Sequence, residues 1–146
     1  MSMVDISGKP EVYREARAQG VIKLKPQTVN RIKEGKIAKG DPLTVARIAA
    51  TLAAKNTSSL IPLCHQIPLT NVSIKFEFLE DSRIRVESTV KTKAQTGVEM
   101  EALAAVSVAL LTIWDMTKQY EKDEKGEYPN TAIENICVLR KIKGNG

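Results

Sequence analysis

Two stretches near the middle of the chain alternate strictly between apolar and polar. Val72-Ser73-Ile74-Lys75-Phe76-Glu77-Phe78 places an apolar side chain at every second position, and Arg83-Ile84-Arg85-Val86-Glu87 does the same. A period of two is that of a strand with one wet face, and Glu80-Asp81-Ser82 supplies a turn, so the pair predicts a β-hairpin. Upstream, the second half of Val12 to Lys25 reads as a strand ended by Pro26, and Thr28 to Lys36 as a short helix stopping near Gly35. Lys39-Gly40-Asp41-Pro42 is a helix start, with Asp41 as N-cap and Pro42 at the first helical position. The helix from Leu43 to about Ala54 is rich in alanine, which predicts close packing. Thr96-Gly97 opens a long helix from Val98 to about Lys122. A charged loop from Glu121 to Asn130 then leads to a last strand over Ile133 to Ile142.

Strand, helices, strand, strand, helix, strand is the order of a ferredoxin-like α+β fold: βαββαβ, an antiparallel sheet with helices on one face. The first strand and the strand after the hairpin turn are then central. The chain is expected to form one domain over 1–146, with 1–11 a loose arm and Lys143-Gly144-Asn145-Gly146 a mobile tail. A domain of this size buries roughly 68–70% of its unfolded surface and needs no staple.

Composition narrows the class. The apolar runs are broken by charge or proline short of a membrane span, and Met1 to Arg17 is polar with Asp5, Glu11 and Glu15, unlike a signal peptide. A cytoplasmic protein is expected. Cys64 and Cys137 lie far apart without a CxxC, so neither a structural zinc site nor a disulfide is expected, and both read as buried small hydrophobes. The net charge of +5 favours an anionic partner, but it is spread along the chain and aromatics are only 4%, which points to a small phosphorylated ligand rather than a nucleic acid.

The candidate chemistry is sparse. The only histidine, His65, closes the apolar, proline-stiffened Leu60-Ile61-Pro62-Leu63-Cys64-His65, and histidine exchanges protons near neutral pH. Cys64 and His65 do not form a nucleophilic pair, because adjacent side chains in an extended segment face opposite ways. The long helix carries Glu99-Met100-Glu101 in its first turn and Asp115-Met116-Thr117-Lys118 near its end. Taken alone, Glu99 and Glu101 suit the helix dipole, and Asp115 with Lys118 is an ordinary surface ion pair. Fourteen residues from Glu101 to Asp115 nevertheless span about 21 Å and return nearly to the same helix face. One small ligand cannot touch both within one chain, so a site using both needs two copies of the helix, across a symmetric subunit interface. Lys39, Lys55, Arg14 and Arg17 are candidate phosphate contacts.

Lys39-Gly40-Asp41, Ala53-Ala54-Lys55-Asn56-Thr57, Leu60 to His65, Thr96-Gly97-Val98-Glu99-Met100-Glu101-Ala102-Leu103 and Asp115-Met116-Thr117-Lys118 come in the order and spacing of one family. The chain resembles cyclic pyranopterin monophosphate synthases of molybdenum cofactor biosynthesis, from Met3 to about Lys141. The resemblance implies a lyase acting on 3′,8-cyclo-7,8-dihydroguanosine 5′-triphosphate. Such an enzyme rebuilds the ring system into a pyranopterin, closes a cyclic phosphate and releases pyrophosphate. It also implies a homohexamer, a trimer of dimers with sites at subunit interfaces. By motif match Asp115, Lys118 and Lys39 take catalytic positions. Leu63, Cys64, His65, Met100, Glu101 and Glu99 bind substrate, with Glu101 and His65 on the guanine-derived ring. Lys39, Lys55 and Arg14, the last in an RxxR segment with Arg17, hold phosphates. Lys118 beside other cations is expected to have a lowered pKa. No tightly bound cofactor is implied; magnesium arriving with the triphosphate is compatible with the chemistry, and no carboxylate cluster asks for a protein-held metal.

Departures from the family pattern are Gln66 after the histidine where a proline is common, Trp114 where a tyrosine is usual, and Gln95 where many members have a lysine. The main rival is a sheet-based RNA reader, which places aromatics on its central strands. Val21 to Lys25 and Arg83 to Val90 contain none. An inactive relative is the other rival, and retention of Lys39, Lys55, His65, Glu101, Asp115 and Lys118 weighs against it.

Overall fold

A computed structural model describes residues 1–144, and in it the alternation runs further than its clearest stretches. Strand β1 is Val12–Lys23, followed by helices α1 (Pro26–Lys33), α2 (Pro42–Lys55) and α3 (Thr57–Leu60), strands β2 (Leu69–Leu79) and β3 (Arg83–Ala94), helix α4 (Glu99–Glu121) and strand β4 (Ala132–Lys143). In β3 every second residue from Ile84 to Ala94 is buried. Of these, Ile84, Val86 and Val90 each stabilise the fold by about 1.5–3 kcal/mol when removed from water. The hairpin forms as expected, with Phe78 opposite Ile84 and Glu80 left-handed at φ 54° in the turn.

Strand β1 is longer than the sequence indicated. Its first half is hidden by Arg14 and Glu15, two charged residues that are themselves buried. Arg14 points to the helix side, where its Nε donates to the Ala94 carbonyl and its Nη2 to that of Gln95. Helix α1 starts two residues early, because Pro26 both ends the strand and takes the first helical position.

The sheet order is β2-β3-β1-β4 with every neighbouring pair antiparallel. Strands β1 and β2 therefore run parallel with β3 between them, a ferredoxin-like arrangement with β1 and β3 central. Tyr13 is the one aromatic on these two strands, and its hydroxyl donates to Glu15.

Asp41 caps α2, accepting from the Leu43 amide at 3.1 Å and the Thr44 hydroxyl at 2.6 Å. The alanine content of α2 has the expected reason. Ala46, Ala50, Ala53 and Ala54 are buried, as are Ala102, Ala105 and Ala109 of α4, where the two helices pack. Beneath α4 the sheet approaches just as closely. A Cβ on Gly20 would lie 2.6 Å from Leu110 Cδ1 and 2.8 Å from Val106 Cγ1, so only glycine fits there. By length and composition α4 is long and apolar enough to cross a membrane, although its uncharged run, Ala102 to Trp114, is bounded by Glu101 and Asp115. Half of that apolar window is buried inside the protein.

Strand β4 forms an edge. It carries exposed Ile136, Val138 and Leu139, two register shifts against β1, and a left-handed Asn135 at φ 56°. Cys137 is exposed on this edge, not buried as expected, and Cys64 is half-buried; both thiols are free. At the opposite edge, α2 packs beside β2 and presents Val45, Ile48 and Leu52 to solvent. Lys143 ends β4 rather than beginning a tail, and the Gly144 amide donates to the Tyr13 carbonyl. Asn145 and Gly146 of the expected tail lie outside the described residues.

Candidate functional site

Helix α4 carries one group of candidate residues at each end. Lys39, just before α2, reaches Asp115 near the end of α4, while Cys64, beyond α2 and α3, reaches Glu101 at its start. The two helices are therefore antiparallel, and Lys39 and Lys55 are separated by the length of α2.

At the start of α4 lies a cavity of about 350 Å³ lined by Ile61, Leu63, Cys64, His65 and Ile67 on one side and by Thr96, Gly97, Glu99, Met100 and Glu101 from the start of α4 and the loop before it. An apolar hollow with a few converging polar groups is the usual form of a small-molecule site. Glu101 is 3% exposed, and burial pushes its carboxyl above the ordinary 4.5, with Glu99 adding to the effect. The Cys64 thiol, 4.0 Å from Glu101 Oε2, is likewise raised, first by burial and then by that carboxylate. This raised thiol pKa and the absence of contact with the histidine ring suit a lining residue, not a nucleophile.

The Glu101 shift has a testable sign. The folded protein holds this proton more tightly than the unfolded chain does. The group costs nothing below its ordinary value, and ionisation destabilises the fold as pH rises beyond it. Glu101→Gln is expected to raise the melting temperature at neutral pH and to leave it unchanged below about pH 4. Equal gains at both pH values in a thermal scan would contradict the burial argument.

Glu99 curls back over Gly97, whose missing side chain makes the room: a Cβ there would lie 2.5 Å from Glu99 Oε1. The same oxygen meets Lys141 Nζ at 2.7 Å. Burial alone would raise the Glu99 carboxyl, but Lys141, its own backbone amide and Arg14 together hold it below the ordinary range. Lys141 thus stands at the mouth of the pocket, with Arg14 and Lys143 beside it. Sequence reasoning did not single out Lys141. Its only signal was a lysine on the inward face of the last strand, since Lys141 faces Ala16.

At the other end of α4, Lys39, Asp115 and Lys118 meet. Lys118 Nζ lies 3.0 Å from Asp115 Oδ1 and Lys39 Nζ 3.2 Å from Oδ2, and Lys39 also donates to the Asp115 carbonyl. The Lys39 loop hangs from α4 through a hydrogen bond from the Ala38 amide to the Tyr120 hydroxyl. Lys118 and then Lys39 hold the Asp115 carboxyl below the ordinary range. Asp115 in turn raises Lys118, the reverse of the lowering expected from neighbouring cations, because the nearest charge is the carboxylate. Both partners are thus charged at neutral pH. Trp114 packs edge-on against Tyr128 beside them, their ring centroids 5.1 Å apart.

The structure leaves two candidates apart. Arg17 is an odd number of residues from Arg14 along a strand, so it lies on the outer sheet face, paired with Glu15 at 3.3 Å. Lys55 ends α2, on the side of the His65 pocket, exposed and outside its lining.

The fold and site together define an α+β protein with a heterocycle-sized pocket and a separate cationic carboxylate cluster. A family model described as MoaC family matches residues 3–144, and the chain belongs to that family. It is 60% identical over 141 residues to the probable cyclic pyranopterin monophosphate synthase of Saccharolobus solfataricus, a match covering 97% of this chain and 94% of that one. It is 58% identical over 143 residues to the protein so named in Pyrococcus furiosus, covering 98% and 91%. With the Sulfolobus acidocaldarius protein of the same description it shares 54% over 144 residues, covering 99% and 100%.

Proposed function

We propose that this protein makes cyclic pyranopterin monophosphate from 3′,8-cyclo-7,8-dihydroguanosine 5′-triphosphate, releasing pyrophosphate, as an early step of molybdenum cofactor biosynthesis. The observation that carries the reading is the cavity. Its apolar floor of Leu63, Ile67 and Met100 suits a planar ring, and Glu101 and His65 give that ring a carboxyl and an imidazole to bond. Arg14, Lys141 and Lys143 at the adjoining edge supply cations for phosphate oxygens.

Closing the cyclic phosphate needs a substrate hydroxyl to attack the α-phosphorus, its proton passing to the Asp115 carboxylate. The bond to the β-phosphate oxygen breaks, and pyrophosphate leaves with the electron pair. A charged Lys118 beside Asp115 is suited to deliver a proton and to stabilise the leaving charge, and Lys39 holds the carboxylate from its other side. Magnesium, if present, travels with the triphosphate.

These groups lie about 21 Å from Glu101 along one helix. We therefore also propose that each complete site joins the His65 pocket of one subunit to the Lys118 cluster of another. The two apolar surfaces at opposite edges of the sheet, one on α2 and one on β4, support an assembly with two kinds of interface, as a hexamer of paired subunits requires. The test is an assay of the purified protein with the cyclo-dihydro-GTP substrate, following pyrophosphate and oxidisable pterin together. Release of both in equal amounts is expected; binding without turnover would overturn the catalytic reading.

A further inference from the structure

The expected loose arm is tied down at two points, and one of them is the only histidine. His65 Nε2 lies 2.7 Å from the carbonyl oxygen of Val4. Five residues on, the Lys9 carbonyl accepts from Gln95 Nε2 at 3.2 Å. Between the ties the arm turns back on itself. Asp5 Oδ1 accepts from the Ser7 amide and hydroxyl, and the Lys9 amide donates to the Ile6 carbonyl. Gln95 follows β3 and opens the loop through Thr96 and Gly97, which lines the cavity, as His65 does from another segment. The arm therefore bridges these two segments, and each tie uses a backbone carbonyl of the arm.

A carbonyl oxygen only accepts, so the nitrogen facing it must carry hydrogen. In a neutral imidazole one nitrogen bears the proton and the other a lone pair, and the partner of the first decides which is which. We propose that the Val4 carbonyl sets the tautomer of His65, placing the proton on Nε2. Nδ1 is then the ring atom that accepts a hydrogen bond or proton from the bound ligand. Gln95 is a positioning residue that acts through the arm, and its side-chain N–H is the feature that matters. The tautomer stands on the geometry alone; its use toward a ligand rests on the pocket being the substrate site proposed above.

One histidine per chain makes the test clean. Protein labelled with 15N only in histidine gives one imidazole, whose two nitrogens distinguish the tautomers directly in the neutral ring. The expected spectrum has the proton on Nε2, its exchange with water slowed by the hydrogen bond to the Val4 carbonyl. Deletion of residues 2–5, which removes the Val4 carbonyl, is expected to speed that exchange roughly three- to tenfold, the worth of one hydrogen bond. Gln95→Glu, which cannot donate to Lys9, should behave like the deletion. Gln95→Lys, which can, should behave like the wild type. A proton on Nδ1 in the wild type, or exchange unchanged by the deletion, overturns the proposal. Gln95→Glu indistinguishable from wild type removes Gln95 from it. None of these readings needs turnover, so failure here and failure of the proposed reaction are told apart.

Discussion

Oligomers reassembled from equal amounts of Lys118→Ala and His65→Ala subunits are expected to recover about a quarter of wild-type turnover, the share of sites drawing both intact halves from different subunits. Each variant alone should lose roughly 10²–10⁴-fold, the usual contribution of a positioned proton donor or acceptor. The expectation follows from geometry. Lys118 belongs with Asp115 and Lys39 at one end of α4, and His65 with Cys64 and Glu101 at the other. If each chain held a complete site, both halves of every site would come from one subunit, and mixing would restore nothing. The measurement is turnover after the two variants are unfolded together, refolded and sized as oligomers, with each variant alone as control.

Glu121→Ala is expected to lower stability by about 3–5 kcal/mol, the cost of leaving several donors without their acceptor. Glu121 is fully buried at the end of α4, and its carboxylate accepts from the Thr28 hydroxyl, the Thr131 hydroxyl at 2.7 Å and the Lys25 amide at 3.1 Å. Those donors belong to the start of α1 and the approach to β4, so one side chain ties three elements together. Alanine leaves two buried hydroxyls without an acceptor, each costing about 1–3 kcal/mol, and frees the half-buried Lys25 amide as well. A melting temperature lower by roughly 10 °C or more is expected for a chain of this length. A drop of only a degree or two in calorimetry would mean that the three donors find water when the carboxylate is gone.

Local chemistry wrote the hairpin, the Asp41 cap and the alanine seam plainly into the sequence, because each depends on residues close together in the chain. Other features depend on partners far away. Glu121 sits in Tyr120-Glu121-Lys122-Asp123-Glu124-Lys125 and looks like one more solvated charge. Only its donors at positions 28 and 131 make it structural. Arg14 and Glu15 masked half of β1 for the same reason. The union of Lys39 with Asp115, 76 residues apart, was carried by resemblance and not by spacing. The arm misled in the other direction: its ties are backbone carbonyls, which no residue type announces. Cys137 was misjudged because an edge strand looks apolar in sequence, yet within one chain its middle residues, Asn135 to Arg140, are exposed.

Helix α4 also works as a gauge. Glu101 and Asp115 point the same way because fourteen helical steps come within about 40° of four whole turns. One inserted residue anywhere between them shifts the far end by about 1.5 Å and swings it by about 100°. The core would absorb such a change poorly, since Ala102, Ala105, Val106, Ala109 and Leu110 are all fully buried. Under the proposed shared site the two half-sites would suffer more, because a pair of subunits related by symmetry doubles every error in phase. Length between these two carboxylates is thus fixed by packing, and under the proposed shared site it would be fixed a second time by the need of two molecules to present their ends to each other.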